Sequence, residues 1–135
     1  MADSHFTSLA KIGLLEGLLA KMQDGSDAPV LVVYTGTRNN LGASTALVVF
    51  TLDDPAGTID EGDVALDLVT AGASSMVLAS GVPQWALLFD GNSQAFVDFD
   101  ASGADGTGAV KLSVSDGDPI FAGGLVSLTS ARFQF

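Results

Sequence analysis

Apolar positions follow two different rhythms along this chain. In the first two dozen residues they recur at helical spacing. Ile12, Leu15, Leu18, Leu19 and Met22 fall on one stripe, and Leu14 widens it. Lys11, Glu16, Lys21 and Gln23 lie mostly outside that stripe. Ser4, Thr7 or Ser8 can cap such a helix by offering a side-chain oxygen to free backbone N–H groups, and Gly25 is a natural stop. Gly13 and Gly17 are costly inside a helix, by about 1 kcal/mol each relative to Ala. Their spacing of four also lets another backbone approach closely.

After Ala28 the rhythm changes to short aliphatic and β-branched runs punctuated by Gly, Asp, Ser and Pro. The runs cover residues 29–35, 46–52, 64–69, 75–79, 84–89, 94–99, 109–114 and 125–135. The second closes on Asp53-Asp54-Pro55. The third alternates Val, Leu and Leu with Ala, Asp and Asp, the period of a half-exposed strand. Asp90-Gly91-Asn92-Ser93 separates two runs and reads as a hairpin turn, with Gly91 taking positive φ. This is the cadence of a sandwich, jelly roll or small barrel. No helix-length segment separates the strands, which argues against a parallel α/β layout. The pattern predicts one mainly β domain over residues 1–135: an N-terminal helical segment at 1–25, then an antiparallel β-sandwich or jelly-roll-like body at 28–135.

Composition narrows the function. At 135 residues and 47% apolar content the chain can bury a real core. Only 16% of residues are charged, and the net charge is -11. A surface of that sign repels phosphate backbones and anionic lipid heads, so neither nucleic acid nor membrane is an expected partner. The first residues lack the basic region of a signal peptide, and the apolar segment 12–20 is too short to span a bilayer. The expectation is a soluble protein made in the cytoplasm.

Candidate chemistry is sparse. Cys is absent, and His5, the only histidine, sits near the N-terminus. Cys-His and Ser-His-Asp machinery therefore has a single, badly placed base. No phosphate-loop fingerprint occurs. Asp98, Asp100 and Asp105 could supply oxygens to Ca²⁺, but the spacing misses the EF-hand loop and also suits outward side chains beside a flexible turn. Asp60, Glu61 and Asp63 read as a solvated acidic loop. Trp85 and Tyr34 would form a sugar-stacking platform if both faced outward. Alternation puts Trp85, Leu87 and Phe89 on one face, which reads more simply as core. The sequence predicts no enzyme, no cofactor and no bound metal. The expected partner-contact residues are Leu14, Leu18 and Leu19 on the helix, with Phe133 and Phe135 at the C-terminal edge.

Several segments follow one another in a distinctive order. A leucine-rich helix, Leu14-Leu15-Glu16-Gly17-Leu18-Leu19, leads into Val32-Val33-Tyr34-Thr35-Gly36-Thr37. An acidic-Pro turn, Leu52-Asp53-Asp54-Pro55-Ala56, follows. Trp85-Ala86-Leu87-Leu88-Phe89-Asp90-Gly91-Asn92 then precedes Val110-Lys111-Leu112-Ser113-Val114, and Gly123-Gly124-Leu125-Val126-Ser127-Leu128-Thr129-Ser130 closes the series. This order resembles a family of small β-rich virion proteins of tailed bacteriophages, encoded among head and structural genes. The chain departs from the pattern at Leu88, where a basic residue is common, and in its longer, more apolar helix. The resemblance implies a non-enzymatic virion structural protein, with a capsid decoration or cement protein as the leading form. Its partners would be the major capsid protein or other virion proteins and further copies of itself, a trimer among the expected assemblies. The alternative is a carbohydrate- or host-binding module of a head or tail fibre.

Overall fold

A computed structural model describes residues 6–134; Ser4, His5 and Phe135 lie outside them. Helix α1 spans Ser8–Met22. Thr7 is its N-cap, the Oγ1 accepting from the Ala10 N–H at 3.2 Å. Nine strands follow: β1 (Val30–Gly36), β2 (Ser44–Asp60), β3 (Ala65–Thr70), β4 (Ser75–Met76), β5 (Trp85–Phe89), β6 (Ala95–Gly103), β7 (Val110–Leu112), β8 (Leu125–Val126) and β9 (Leu128–Gln134). The chain is thus mainly β with one helix, as the pattern predicts. Among the described residues no helix is long and apolar enough to cross a membrane.

The strands do not form two face-packed sheets. Seven of them close into a barrel in the order β1-β2-β3-β9-β7-β6-β5, so the sandwich or jelly-roll expectation gives way to a closed sheet. Closure depends on β2. Its first part pairs with β1, from Val30↔Thr51 to Gly36↔Ser44, and its last part pairs with β3, from Gly57↔Leu68 to Asp60↔Ala65. Between Leu52 and Gly57 the register breaks, so Asp53-Asp54-Pro55 bends one long strand instead of ending it. Proline suits such an irregularity because it has no N–H to offer a ladder. A parallel pairing of β6 with β7 completes the circuit, an exception to the antiparallel expectation.

The core lies inside the barrel. Leu31, Val33, Val48, Phe50, Leu66, Ala86, Leu88, Val110 and Leu112 are at most 1% exposed. On β1–β2, Val33 pairs with Val48 and Tyr34 with Ala46, leaving Leu47 as a bulge residue. Both Leu47 and Val48 consequently face the core.

Helix and ribbon occupy opposite ends. The pairing of β7 with β6 reaches only Ala101–Gly103, and with β9 only Leu128–Ala131. Beyond it, the start of β6 and the end of β9 lack a strand between them. There Leu15 and Leu18 of α1 meet Val97 and Phe133 around a hollow of about 140 Å³. At the other end β4 and β8 form a two-stranded ribbon, Met76 opposite Leu125. Its inward residues Val77 and Val126, with Ile120, join the core. Strand β5 runs the whole distance. It begins just after the Gly81–Ile120 bridge beside the ribbon, and the turn after it donates the Gly91 N–H to the Met22 carbonyl at the end of α1.

The β5–β6 hairpin forms as expected, for a different reason. Asp90 Oδ1 accepts the N–H groups of Asn92 and Gln94, and Ser93 takes positive φ at 62°. Gly91 instead provides close approach, because a Cβ there would collide with the carbonyl oxygens of Asp24 and Asp27. Gly91→Ala should therefore destabilise the fold by about 1–3 kcal/mol through overpacking. Gly62→Ala, where a Cβ meets only the end of the Asp60 side chain at 3.5 Å, should cost far less. Paired urea denaturation measures the difference; equal midpoints would contradict it.

Candidate functional site

The outer face of β1, β2 and β5 carries a second apolar layer. Val32, Tyr34, Trp85 and Leu87 are buried there, with Val30, Ala46, Val49 and Phe89 against them. The stripe Trp85, Leu87, Phe89 does share one face, but that face points away from the barrel interior. Trp85 stacks on Tyr34 with ring centroids 4.6 Å apart and planes at 20°. Its Nε1–H donates to Ser44 Oγ at 3.0 Å. Burial pushes the Tyr34 phenol pKa up. Trp85 is 1% exposed and Tyr34 9%, so the stack is sealed and offers a sugar ring no open face.

Arg38 pairs with two carboxylates on the strand beside this layer. Asp98 pairs with Leu87 and Asp100 with Trp85 across β5–β6, placing both carboxylates on the same outer face. Arg38 Nε donates to Asp98 Oδ2 at 3.0 Å, and its Nη1 pairs with Asp100. The Arg38 hydrogen bond holds the Asp98 carboxyl below its ordinary range. Asp105 is used elsewhere, accepting the Asp116 N–H at 2.6 Å. The three aspartates weighed as oxygen ligands for Ca²⁺ thus serve two separate contacts. Among the described residues no group of three or more His, Cys, Asp or Glu is placed to hold a metal.

The second acidic cluster is likewise structural. Arg132 on β9 meets Asp67 at 2.7 Å, Asp60 at 3.0 Å and Asp63 at 3.2 Å, tying β9 to β3 and the β2–β3 turn. These partners raise the Arg132 pKa. Asp60 also accepts the Asp63 N–H, and the two contacts lower its pKa. A carboxylate depressed in the folded state adds stability above its unfolded pKa and loses it as pH falls through the folded value. The stability gap between the parent and Arg132→Met should therefore be widest near neutral pH and narrow below about pH 4. Urea midpoints at neutral, mildly acidic and strongly acidic pH test this; a gap independent of pH would contradict it.

A half-open cleft of about 470 Å³ lies between the end of α1 and the β2 bend, lined by Gln23, Asp27, Thr51, Asp53, Asp54 and Ala71 among others. Its lining offers carboxylates, hydroxyls and backbone, without a histidine, cysteine or cation.

The expected contact residues divide. Leu14 is 41% exposed. Leu18, Leu19 and Phe133 are half-buried and pack against the barrel core, with Phe133 edge-on to Phe99 at 5.0 Å. The sequence reading expects Leu18 and Phe133 to meet a partner; in the structure both line the hollow beneath α1, and much of their cover comes from their own domain. Other residues are far more open. Among the described residues, eight large hydrophobic side chains are exposed, and seven belong to two surfaces. Phe6, Leu9 and Leu14 lie on or beside α1. Met76, Leu78, Phe121 and Leu125 lie on or beside the β4–β8 ribbon. The available signal for the ribbon is that residues 71–89 and 119–131 contain no charged side chain in an otherwise acidic chain. The chain matches no protein-family model, no curated protein and no solved structure.

Proposed function

We propose that this chain is a non-enzymatic virion structural protein of a tailed phage, a decoration or cement protein that binds the outer capsid surface. The observation that carries the reading is the concentration of exposed apolar side chains on two surfaces of the barrel domain. Contiguous exposed apolar surface marks sites of association. The arginines support the same reading, since Arg38 and Arg132 bind carboxylates of their own barrel. The virion context rests on the resemblance of the segment order to that of small virion proteins of tailed phages. In this account the protein is made in the host cytoplasm and bridges capsid subunits by adhesion, without bond chemistry.

Co-sedimentation with isolated phage heads tests the reading. The expected result is saturable binding that persists in high salt, because apolar contact is little affected by screening. Binding abolished by salt, or none at saturating protein, would count against it. Retention on an oligosaccharide array without head binding would favour the fibre-module alternative.

A further inference from the structure

Helix α1 lies beside the gap between the start of β6 and the end of β9, and it is held there by apolar contact. Of its 15 residues only Leu15 and Met22 are fully buried, with Leu18 and Leu19 half-buried against the core. Among the described residues, no hydrogen bond or ion pair joins residues 8–21 to the barrel. The polar ties sit at the C-terminal end. The Met22 carbonyl accepts the Gly91 N–H at 3.2 Å, and Gln23 Oε1 accepts the Ala56 N–H at 2.8 Å.

The helix is also weak in itself. Gly13 and Gly17 occupy its middle, and a Cβ at either would meet nothing within 4 Å. Neither takes a left-handed φ, so neither packing nor backbone conformation demands glycine there. Each lowers the helix–coil equilibrium about fivefold relative to Ala, and the two together about thirtyfold. The seven strands, by contrast, close the barrel by pairing with one another.

From these features we infer that α1 is a hinged strap. Residues 8–21 leave the barrel as one unit while the seven strands stay closed, and the chain pivots at the tether formed by Met22 and Gln23. A helix of this length with two central glycines does not persist alone in water, so release melts it. Release also bares the hollow beneath α1, adding Val97 and Phe133 to the apolar surface at this end of the barrel. The strap thus sets how much apolar surface that end shows, through an opening well below global unfolding.

Native-state hydrogen exchange on the unmodified chain, in urea below the unfolding transition, tests this without any capsid. The amides of residues 12–22 have partners within the helix. They should share one protection level, at least a hundredfold below that of β1 and β5. They should also depend little on urea, because release exposes little surface. Gly13→Ala combined with Gly17→Ala should raise their protection about thirtyfold. Trypsin gives a second reading, since Lys11 and Lys21 lie on α1. Cleavage there should precede cleavage at Lys111 and Arg132, and the double substitution should slow it. Helix and strand amides with one common protection level and urea dependence would overturn the proposal. So would protection that climbs residue by residue from Ile12 to Met22, the mark of end fraying, or α1 protection unmoved by the double substitution.

Discussion

Trp85→Ala should lower the unfolding free energy by about 3–5 kcal/mol, the usual cost of removing a large aromatic from a packed site. On a fold with a total stability of about 5–15 kcal/mol, that is a large fraction. The ring is 1% exposed, stacks on Tyr34 and donates to Ser44, so truncation loses packing, stacking and a hydrogen bond together. Trp85→Phe keeps much of the packing and should cost far less, with about 1 kcal/mol from the lost hydrogen bond. Urea denaturation followed by circular dichroism separates the two. A loss below 1 kcal/mol for Trp85→Ala would mean that the outer layer is not packed as described. The parent should also show blue-shifted tryptophan emission that resists acrylamide quenching.

Leu15→Ala should cost about 2–5 kcal/mol, whereas Leu14→Ala should stay within about 0.5 kcal/mol. The neighbours differ because Leu15 is fully buried in the barrel gap, while Leu14 is 41% exposed. Removing the Leu15 side chain enlarges the hollow it shares with Leu18, Val97 and Phe133. Loss of that seat should also let the amides of α1 exchange earlier than those of β1 and β5. Similar losses at both leucines would show that the helix docks by another face. Phe133→Ser belongs with Leu15→Ala, since Phe133 packs on Phe99 and its removal reports on folding as well as on docking.

Local signals in the sequence foretell local structure well here. Leu15 and Met22 lie on the predicted helical stripe and are fully buried, and Asp90-Gly91 sits in the predicted hairpin. Closure of the barrel is less legible, because it depends on non-local pairing. The Asp53-Asp54-Pro55 signal reads equally as a strand end or a strand bend, and only the pairing of Gly57–Asp60 with β3 decides it. The parallel β6–β7 match spans three residue pairs and has no local signature. The aspartates illustrate the same limit: Asp98 and Asp105 are near in sequence, yet Asp98 is matched by Arg38, sixty residues away. The ribbon escapes periodicity because Ser75-Met76-Val77-Leu78 is apolar on both faces, and only the fold reveals that Val77 turns inward while Met76 and Leu78 remain open.

Electron cryo-microscopy of virions carrying this chain tests the central claim most directly. The account predicts seven-stranded barrels on the outer surface of the head, in contact with capsid subunits through the exposed apolar side chains of α1 or of the β4–β8 ribbon. Heads without such density, in particles whose protein content includes the chain only in tail fibres or not at all, would contradict it.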